Sequence, residues 1–406
     1  MGTGADKMTF LIQIPQLIFG GAEKVLVSFT KCLVEHGHEV EVLETYERGL
    51  LRDQFDPRVR FSAICSKAYT AKYYASLVDI RAEVKLWEKL KKCAKLGFSK
   101  LVGYRKFAEH LTAKQYRNRR FDVAINYLEI ESPAFLLNNI HASLYLQWIH
   151  TDVKNMDPPD ALDKYLSLYR KMDAIFCVAD SARTSFTSMY PVLCSKTYTL
   201  YNFFDAEAIL KKASVPFAFS SERPILLSVG RMTPPKKYLR FLDVLAKLKS
   251  EGYAFSWHVL GTGMELEAIK QRIAELHLSE CVFLDGLTDN PYRYMAACDL
   301  FVLPSGWEGF PTVTIEAKLL GKPVLATDVS GIREQLEDEV TGLIAENSEE
   351  GIYNGLKTLL DRPELCHTLS KNAGINKLID NELKYQTFID VISACQKEPS
   401  EPYEQP

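Results

Sequence analysis

Short apolar runs alternate with helix-like stretches along most of the chain, and this alternation most constrains the fold. Each run has the length of a β-strand, and many of the stretches between them have a helical pattern. Such a chain folds as parallel sheets covered by helices, an α/β class. The predicted strands are Thr9–Ile14, Glu39–Leu43, Phe121–Asn126, Ser143–Ile149, Asp173–Val178, Pro224–Val229, Phe255–Leu260, Val282–Leu284, Leu300–Leu303 and Pro323–Ala326.

The strand–loop–helix opening occurs once in each half of the chain, which predicts two domains. Helix Gly21–His36 follows the first strand, and helix Lys237–Ser250 follows the first strand of the second half. The polar segment Asp205–Arg223 is the predicted boundary, and a length of 406 residues suits two domains. The predicted division is 8–205, 206–380, and a C-terminal helix and tail at 381–406.

The composition excludes several classes of protein. The chain is 47% hydrophobic and 25% charged with a formal net charge of −3, so we expect a globular protein and no nucleic-acid partner. No apolar stretch reaches the roughly 18 residues of a membrane helix, and the apolar start is too short for a signal peptide. The nine cysteines are scattered without a C-x-x-C pair, which indicates reduced thiols and a cytoplasmic location.

One strongly basic segment interrupts the α/β pattern, and we assign it to a helical insertion at 66–120. Residues 81–120 hold thirteen Lys and Arg against three Glu, a net charge of +10. Apolar residues such as Trp87 and Leu90 lie among them. A basic helix of this kind suits an anionic membrane surface, here the inner face of the cell membrane. A helical hairpin packed on the sheet with a solvated basic face is the alternative.

Two glutamates eight residues apart follow the strand Leu300–Leu303. Glu308 lies in a predicted glycine-containing turn, and Glu316 lies about one turn into the helix predicted from Thr312 to Leu320. A strand, a tight turn and a helix N-terminus form an anion site. Two carboxylates beside such a site would hold hydroxyl groups on either side of the anion, as a sugar nucleotide presents them. The alternative is a solvated helix acid and an unrelated loop acid.

Two more loops in the second half have the form of anion sites. Gly230, Arg231 and Lys236 follow a strand and precede a helix, so the two cations could neutralise a diphosphate leaving group. Gly261 and Gly263 occupy a similar position after the next strand. Each loop alone is a weak signal, because surface cations without a partner and plain glycine turns are common. Their order together with Glu308 and Glu316 is the stronger indication.

The first half offers a glycine loop and a histidine. Gly20 and Gly21 open the first helix, where free backbone amides favour a phosphate, although such a pair is often only a turn. His150 ends a strand, which is where ligands bind in parallel sheets; a structural role is the alternative. The chain has no D-x-D motif, so we expect no metal ion and no cofactor beyond the substrate itself.

These motifs together resemble glycosyltransferase family 4, the retaining nucleotide-sugar transferases of the GT-B fold. The resemblance extends over nearly the whole chain but carries little information about which sugar is moved. It implies two Rossmann-like domains facing a cleft, with the last helix returning to the N-terminal domain. The motifs are Gly20-Gly21-Ala22-Glu23, Val229-Gly230-Arg231 with Lys236, Gly261-x-Gly263, Phe283-Leu284-Asp285-Gly286, Asp299 to Ser305, the two glutamates in E-x7-E, and Thr341-Gly342-Leu343-Ile344.

The resemblance also implies roles for individual residues. Arg231 and Lys236 would hold the diphosphate, Glu316 the ribose and Glu308 the hexose, while His150 would lie near the anomeric carbon. All of these except Glu316 are expected to act in catalysis. Lys237 departs from the family, which often has glycine after the lysine. Further residues expected at the ligand are Gly20, Gly21, Asn202, Gly230, Gly261, Gly263, Asp285, Gly286, Leu287, Gly309, Phe310, Pro311 and Thr312.

The implied reaction is transfer of a hexose or N-acetylhexosamine with retention, from a UDP-sugar before a GDP-sugar. The expected acceptor is a glycan or a lipid-linked glycan in capsule or cell-surface polysaccharide synthesis. Two alternatives remain open at this point. One is a sugar-nucleotide epimerase on the same GT-B architecture, and the other is a non-catalytic protein that binds a membrane or another transferase through residues 81–120.

Overall fold

The structure of the protein is a computed structural model, and it describes residues 7–18, 20–49, 51–68, 85–220, 223–371 and 376–397. Several expectations fall outside these residues. They concern the part of the basic insertion at 69–84 and the tail from residue 398 onward.

The first sheet has seven parallel strands in the order β3-β2-β1-β4-β5-β6-β7. The chain therefore moves outward from β1 in one direction and resumes on the other side of it at β4, and ligands bind at such a switch point. The strands are β1 Thr9–Ile14, β2 Glu39–Tyr46, β3 Arg60–Cys65, β4 Arg120–Asn126, β5 His141–Ile149, β6 Ala174–Cys177 and β7 Thr197–Thr199.

The second sheet has six parallel strands in the order β10-β9-β8-β11-β12-β13, with its switch point between β8 and β11. These strands are buried because helices cover both faces of a parallel sheet. The strands are β8 Ile225–Val229, β9 Ser256–Leu260, β10 Val282–Gly286, β11 Leu300–Leu303, β12 Val324–Thr327 and β13 Leu343–Ala345.

Helices connect the strands in both halves, so the predicted α/β class with two Rossmann-like parallel sheets is confirmed. The helices are α1 Gly21–Glu35, α2 Leu86–Val102, α3 Tyr104–Tyr116, α4 Ala134–Asn139, α5 Leu166–Tyr169, α6 Asp180–Met189, α7 Ala206–Ala213, α8 Tyr238–Ser250, α9 Leu266–Glu275, α10 Pro291–Ala297, α11 Thr312–Leu319, α12 Ile332–Gln335, α13 Glu349–Asp361, α14 Pro363–Lys371, α15 Asn376–Ile379 and α16 Asn381–Lys397.

The polar segment after Asp205 is not a plain linker. Asp205 accepts a hydrogen bond from the backbone N–H of Ala208 at 3.0 Å and so caps α7, which packs against α10 of the second half. The predicted boundary segment Asp205–Arg223 therefore begins with a helix that the sequence did not predict.

The last helix, α16, returns to the first sheet. Phe388 lies in the core of that half, with its ring 5.4 Å from Phe29, 5.5 Å from Phe176, 5.8 Å from Trp148 and 6.1 Å from Phe10 between centroids. The predicted return of the C-terminal helix to the N-terminal domain is therefore confirmed.

The basic insertion contains two helices with different surroundings. In α3, Ala108, Thr112 and Tyr116 are buried. In α2, by contrast, Leu86 and Trp87 are exposed by 74% and 68%. None of the described helices is long and apolar enough to cross a membrane.

Candidate active site between the two sheets

The carboxyl ends of β8 and β11 bring Lys236 and Glu308 into direct contact. Lys236 Nζ lies 2.6 Å from Glu308 Oε1, and the Ser305 hydroxyl donates to the same oxygen at 2.6 Å. Both charged side chains are largely buried, with exposed fractions of 17% and 14%. From the sequence, we expect Lys236 at the diphosphate and Glu308 at the hexose of one ligand. The structure brings the two side chains together at the switch point of the second sheet.

The glycines of the two neighbouring loops allow backbone to pack on backbone. A Cβ at Gly261, where φ is +147°, would lie 2.0 Å from the carbonyl oxygen of Gly230. A Cβ at Gly263 would lie 2.2 Å from the carbonyl oxygen of Met232. Larger residues would push the loops apart, so these glycines hold the Arg231 loop against the end of β9.

Lys237 occupies the position where the resembling family often has glycine. Its φ of +52° is in the left-handed region, which glycine adopts without strain and other residues adopt at a cost. Lys236 faces Glu308, whereas the Nζ atom of Lys237 lies over the Trp307 ring at 5.2 Å from its centroid. Of the two lysines, Lys236 is therefore the one whose side chain contacts the carboxylate of Glu308.

The glycine pair of the first half faces the start of α11 in the second half. A Cβ at Gly21 would lie 3.6 Å from the Thr312 hydroxyl. Glu23 is buried, and burial raises the pKa of its carboxyl while the charge of Arg231 acts against the rise. Lys24 lies over the Tyr292 ring, with Nζ 5.6 Å from the centroid. The first-half glycine loop and α11 therefore lie on opposite sides of one cleft.

Glu316 is buried one turn into α11 with half of its carboxylate unused. Its Oε1 atom accepts a hydrogen bond from the Tyr292 hydroxyl at 3.3 Å, while Oε2 is buried without a partner in the part of the chain that the structure describes. Burial and this carboxylate raise the pKa of Tyr292. A buried carboxylate oxygen without a donor is costly, so it is suited to accept a hydroxyl from a ligand.

The turn before α11 is pressed against the first domain at His150. A Cβ at Gly309 would lie 2.0 Å from the carbonyl oxygen of His150, so only glycine fits there. Phe310 is buried, its ring 5.3 Å from that of Tyr201, and the Pro311 carbonyl accepts from Gln335 Nε2 at 3.1 Å. These contacts fix the turn that carries Glu308.

His150 itself is held neutral. Burial lowers the pKa of its imidazole to about 3. The residue as a whole is half-buried, but its Nε2 atom is buried and has no hydrogen-bond partner among the described residues. Its backbone N–H donates to Glu129 Oε2 at 3.1 Å. Near neutral pH the ring can therefore donate or accept a hydrogen bond but does not supply positive charge.

Asn202 and the Asp285 segment contact parts of the protein other than the Lys236–Glu308 pair. The Asn202 carbonyl accepts from Lys384 Nζ of α16 at 2.7 Å, which places it at the crossing between the halves. Asp285 meets His258 Nδ1 at 2.9 Å, the Gly286 carbonyl accepts from the N–H of Gly261 at 2.7 Å, and Leu287 is 68% exposed. The Asp285 segment therefore adjoins the Gly261 loop at the far edge of the second sheet.

Two acidic residues near the site were not predicted from the sequence. Glu129 at the end of β4 is buried, and burial raises the pKa of its carboxyl. Glu334 of α12 accepts from the backbone N–H groups of Asp180 at 2.8 Å and Ser181 at 2.9 Å, and so caps α6 of the other half. Glu334 comes after β12 and the glycine turn at Gly331, and this strand–turn signal could have identified it. No comparable signal in the sequence marks Glu129.

A cleft of about 450 Å³ lies between the halves beside the Glu308 turn. Its lining includes Asp152 and Ser181 from the first half and Trp307, Asp328 and Ser330 from the second. Among the described residues, no three His, Cys, Asp or Glu side chains are grouped as a metal site would need.

Part of the chain matches a known protein family. Residues 211–375 match the family described as Glycosyl transferases group 1. The chain is 34% identical over 200 residues, 49% of its length, to the Campylobacter jejuni N-acetylgalactosamine-N,N'-diacetylbacillosaminyl-diphospho-undecaprenol 4-alpha-N-acetylgalactosaminyltransferase, and over 54% of its length it is 30% identical to the Escherichia coli O-antigen biosynthesis glycosyltransferase WbnH. The matches span 53% and 60% of these relatives.

A solved structure shares the fold over nearly the whole chain. The crystal structure of Anabaena HepE in complex with UDP and glucose superposes with a TM-score of 0.71 at 17% identity, covering 95% of this chain and 100% of that one. The GT-B architecture expected from the resemblance is therefore confirmed.

Proposed function

Because residues 211–375 match the family described as Glycosyl transferases group 1, we propose that this protein is a retaining glycosyltransferase. It moves a hexose or N-acetylhexosamine from a UDP-sugar to a glycan or lipid-linked acceptor. The product belongs to a capsule or another cell-surface polysaccharide.

The observation that carries this proposal is the unpartnered oxygen of Glu316. Oε2 is buried beside Tyr292 at the start of α11, within the same cleft as the first-half glycine loop. Ribose hydroxyls donate the hydrogen bonds that this oxygen lacks, since a carboxylate is an acceptor only. A nucleoside diphosphate with its ribose on Glu316 places its phosphates at the N-terminus of α11, where backbone amides favour an anion.

Two cations complete the phosphate site. Arg231 is exposed at the end of β8, and Lys236 faces the same cleft through its contact with Glu308. In the proposed complex these cations stabilise the charge that develops on the leaving diphosphate, and Glu308 exchanges part of its contact with Lys236 for hydroxyls of the donor sugar. Fixed positive charge from the protein serves in place of a metal ion.

The proposed chemistry is a front-side displacement. The bond from the anomeric carbon to the phosphate oxygen breaks, and a bond to the acceptor oxygen forms on the same face of the sugar. The leaving phosphate takes the acceptor proton, so no protein nucleophile is needed. Neutral His150 contributes hydrogen bonding near the sugar, and the enzyme acts by positioning and by charge stabilisation.

The choice of substrates follows the similar proteins. UDP and glucose are bound in the structure of Anabaena HepE, which supports a UDP-sugar donor. The name of the Campylobacter jejuni relative states a sugar carried on diphospho-undecaprenol, and WbnH is named for O-antigen biosynthesis, which supports a lipid-linked or polysaccharide acceptor.

The test is release of UDP from a panel of UDP- and GDP-sugars, with and without acceptor glycans. We expect one UDP-sugar to turn over and Glu316→Gln to weaken UDP binding about tenfold or more, because a hydrogen bond to a charged group contributes about 1.5–3 kcal/mol. Glu267→Gln, an exposed glutamate of α9 paired with Lys270, is the matched control. Absence of both binding and turnover with every sugar nucleotide would refute the proposal.

The epimerase alternative has a distinct product. An epimerase would convert the nucleotide sugar to its isomer without an acceptor, whereas the proposed transferase releases UDP and forms a glycoside. Proton NMR of the products separates the two, and an isomerised nucleotide sugar without UDP release would favour the epimerase.

We also propose that α2 binds an anionic membrane surface. Leu86, Trp87 and Leu90 are exposed on a helix that also carries exposed Lys89 and Lys91. Apolar side chains that enter the headgroup region beside lysines that meet anionic lipids are the features of an interfacial helix. A lipid-linked acceptor would then be met at the surface where its lipid is embedded.

Vesicle co-sedimentation tests this contact. We expect binding to vesicles with phosphatidylglycerol, little binding to pure phosphatidylcholine, and loss of binding in the Trp87→Ala, Leu90→Ala variant. A matched pair on the second domain, Lys270→Ala with Glu267→Ala, should bind as the wild type does. Equal binding to charged and neutral vesicles would disprove the electrostatic part of the proposal.

A further inference from the structure

The cleft beside the Glu308 turn has the size of a ligand site. Its volume is about 450 Å³, within the range of roughly 300–1,000 Å³ that small-molecule sites occupy. Both halves contribute to its lining, Asp152 and Ser181 from the first and Trp307 and Asp328 from the second. The contacts assigned above to nucleotide and phosphate, Glu316 and Lys236, are not among its lining residues.

The cleft borders the proposed reaction centre through both halves. Trp307 immediately precedes Glu308, and Asp152 comes two residues after His150. The two segments meet where Gly309 packs on the His150 carbonyl. A molecule in this cleft is therefore next to the groups proposed to hold the donor sugar, which is the place an acceptor must occupy.

The Trp307 side chain is fixed on one side by Lys237. The Lys237 Nζ atom lies 5.2 Å from the centre of the Trp307 ring, an attractive cation–π contact. The stem of Lys237 lies against Gly306, where an added Cβ would be 2.7 Å from Lys237 Cε. Gly306 is held in turn by its N–H to the Pro235 carbonyl at 2.7 Å and by Asn347 Nδ2 to its own carbonyl at 2.8 Å.

Lys237 makes this contact from a strained backbone. Its φ of +52° favours glycine, yet this chain has a lysine whose side chain is used on Trp307. Strain kept at a defined position beside a cleft points to a function for the side chain. The left-handed residue also lets two consecutive lysines reach the same turn, Lys236 at Glu308 and Lys237 at Trp307.

The charge of the cleft selects against phosphate. Asp152, Asp328 and Glu334 line it against one cation, Arg333, which pairs with Asp328 at 2.6 Å. An anion would be repelled by this excess of negative charge. Hydroxyl groups can donate to the Asp152 and Asp328 carboxylates, whereas Glu334 already accepts four hydrogen bonds from the first half. The apolar face of a sugar ring packs on an aromatic side chain such as Trp307.

We propose that this cleft binds an uncharged sugar ring of the acceptor, packed on Trp307, with Lys237 as a positioning residue that holds the tryptophan. The inference rests on the proposed transferase function and adds the substrate class and place of the acceptor. The acceptor sugar then lies in the acidic cleft, and any anionic part of the acceptor lies on another surface.

Saturation-transfer NMR tests the site without requiring turnover. The probes are methyl glycosides of glucose, galactose, N-acetylglucosamine and N-acetylgalactosamine, added with UDP, and their 6-phosphates as charged counterparts. We expect transfer to the ring protons of at least one neutral glycoside and none to its phosphate. Trp307→Ala should weaken that binding about tenfold, Trp307→Phe should retain most of it, and Lys237→Gly should weaken it with no loss of melting temperature.

UDP affinity distinguishes this inference from the function on which it rests. Trp307→Ala should change the Kd for UDP less than twofold, and Lys270→Ala on α9 should change neither Kd. Saturation transfer to none of the neutral glycosides in the wild type, or equal transfer in Trp307→Ala, overturns the sugar subsite even if UDP binds. Failure of UDP to bind the wild type would instead overturn the proposed function.

Discussion

Lys237 shows at the scale of one residue how backbone conformation limits substitution. Its left-handed φ tolerates glycine and penalises any Cβ. We expect Lys237→Gly to be about 1 kcal/mol more stable to unfolding than Lys237→Ala, because both lose the contact with Trp307 and only alanine keeps the strain. Urea denaturation of the two variants measures this difference, and equal midpoints would contradict it.

Lys236 carries the corresponding prediction for activity. We expect Lys236→Met to lower kcat by about 10²–10³-fold, since in the proposed mechanism it removes one group that stabilises charge on the leaving phosphate. The same variant leaves Glu308 without its cation, so Lys236→Met combined with Glu308→Gln should lose less than the product of the two single effects. Steady-state UDP release for the three variants tests this, and a fully multiplicative loss would show that the side chains act separately.

The sequence predicted where Lys236, Glu308, Glu316 and His150 lie relative to the strands, because strand ends and glycine turns are local signals. It could not predict that Lys236 and Glu308 would touch, since 72 residues separate them and the contact depends on the packing of β8 beside β11. Glu129 has no such local mark, and its relation to His150 appears only when β4 and β5 are adjacent.

At the scale of elements, the sequence predicted strands with a buried apolar run and missed β3, β7 and β13. Strand β3 has six residues, but only its last two are buried, so it shows no apolar run. The burial of β1, β5 and β8 gives apolar runs that stand out in the sequence, whereas β7 and β13 have three residues each and too few positions to show a period. Helix α7 was missed because its surroundings are polar, although Asp205 caps it. The predicted starts and ends differ from the observed ones by a few residues where caps extend or shorten an element.

Helix α16 packs on the first domain through Phe388 and further buried side chains such as Tyr385 and Ile392. Phe388 is fully buried among four aromatic rings of the first domain. We expect Phe388→Ala to lower the free energy of unfolding by about 3–5 kcal/mol, the usual cost of a buried phenylalanine. Thr387→Ala, next to it and exposed, should cost much less. Thermal unfolding of both variants measures the difference, and similar losses would mean that α16 is not part of this core.

For the whole molecule, we expect Lys384 at the crossing between the domains to make stability depend on pH. Burial lowers the pKa of Lys384 to about 7 from 10.5, against the opposing influence of Cys32 and Asp380. Between these two values the unfolded chain holds a proton that the folded protein has released. The contribution of Lys384 to stability should therefore rise with pH from about 7 to 10.5, by at most about 1.4 kcal/mol per pH unit.

Comparison of the wild type with Lys384→Met tests this pH dependence. The variant removes the titrating amine, so its unfolding free energy should rise less steeply over that window than that of the wild type. Lys270→Met, a surface lysine of α9, should keep the wild-type slope. Parallel curves for the wild type and Lys384→Met would show that Lys384 keeps its proton in the folded protein.

Glu334 joins the two domains from the opposite side of the cleft. Its carboxylate accepts from two backbone N–H groups at the start of α6, from the Ser181 hydroxyl at 2.6 Å and from the Tyr201 hydroxyl at 3.0 Å. We expect Glu334→Ala to weaken the contact between domains by about 1.5–3 kcal/mol and to increase the radius of gyration in X-ray scattering. Glu337→Ala, exposed three residues later, is the control, and an unchanged scattering curve for Glu334→Ala would count against a clamp.

The two passages of the chain between the domains lie side by side. Phe204 and Asn381 exchange hydrogen bonds, with the Phe204 N–H donating at 3.1 Å and Asn381 Nδ2 donating back at 2.7 Å. The second domain is therefore an insertion within the first, and both connections between the two domains pass through the same place. Two cuts at this one place would exchange the whole second domain between related chains while leaving the Phe388 core undisturbed.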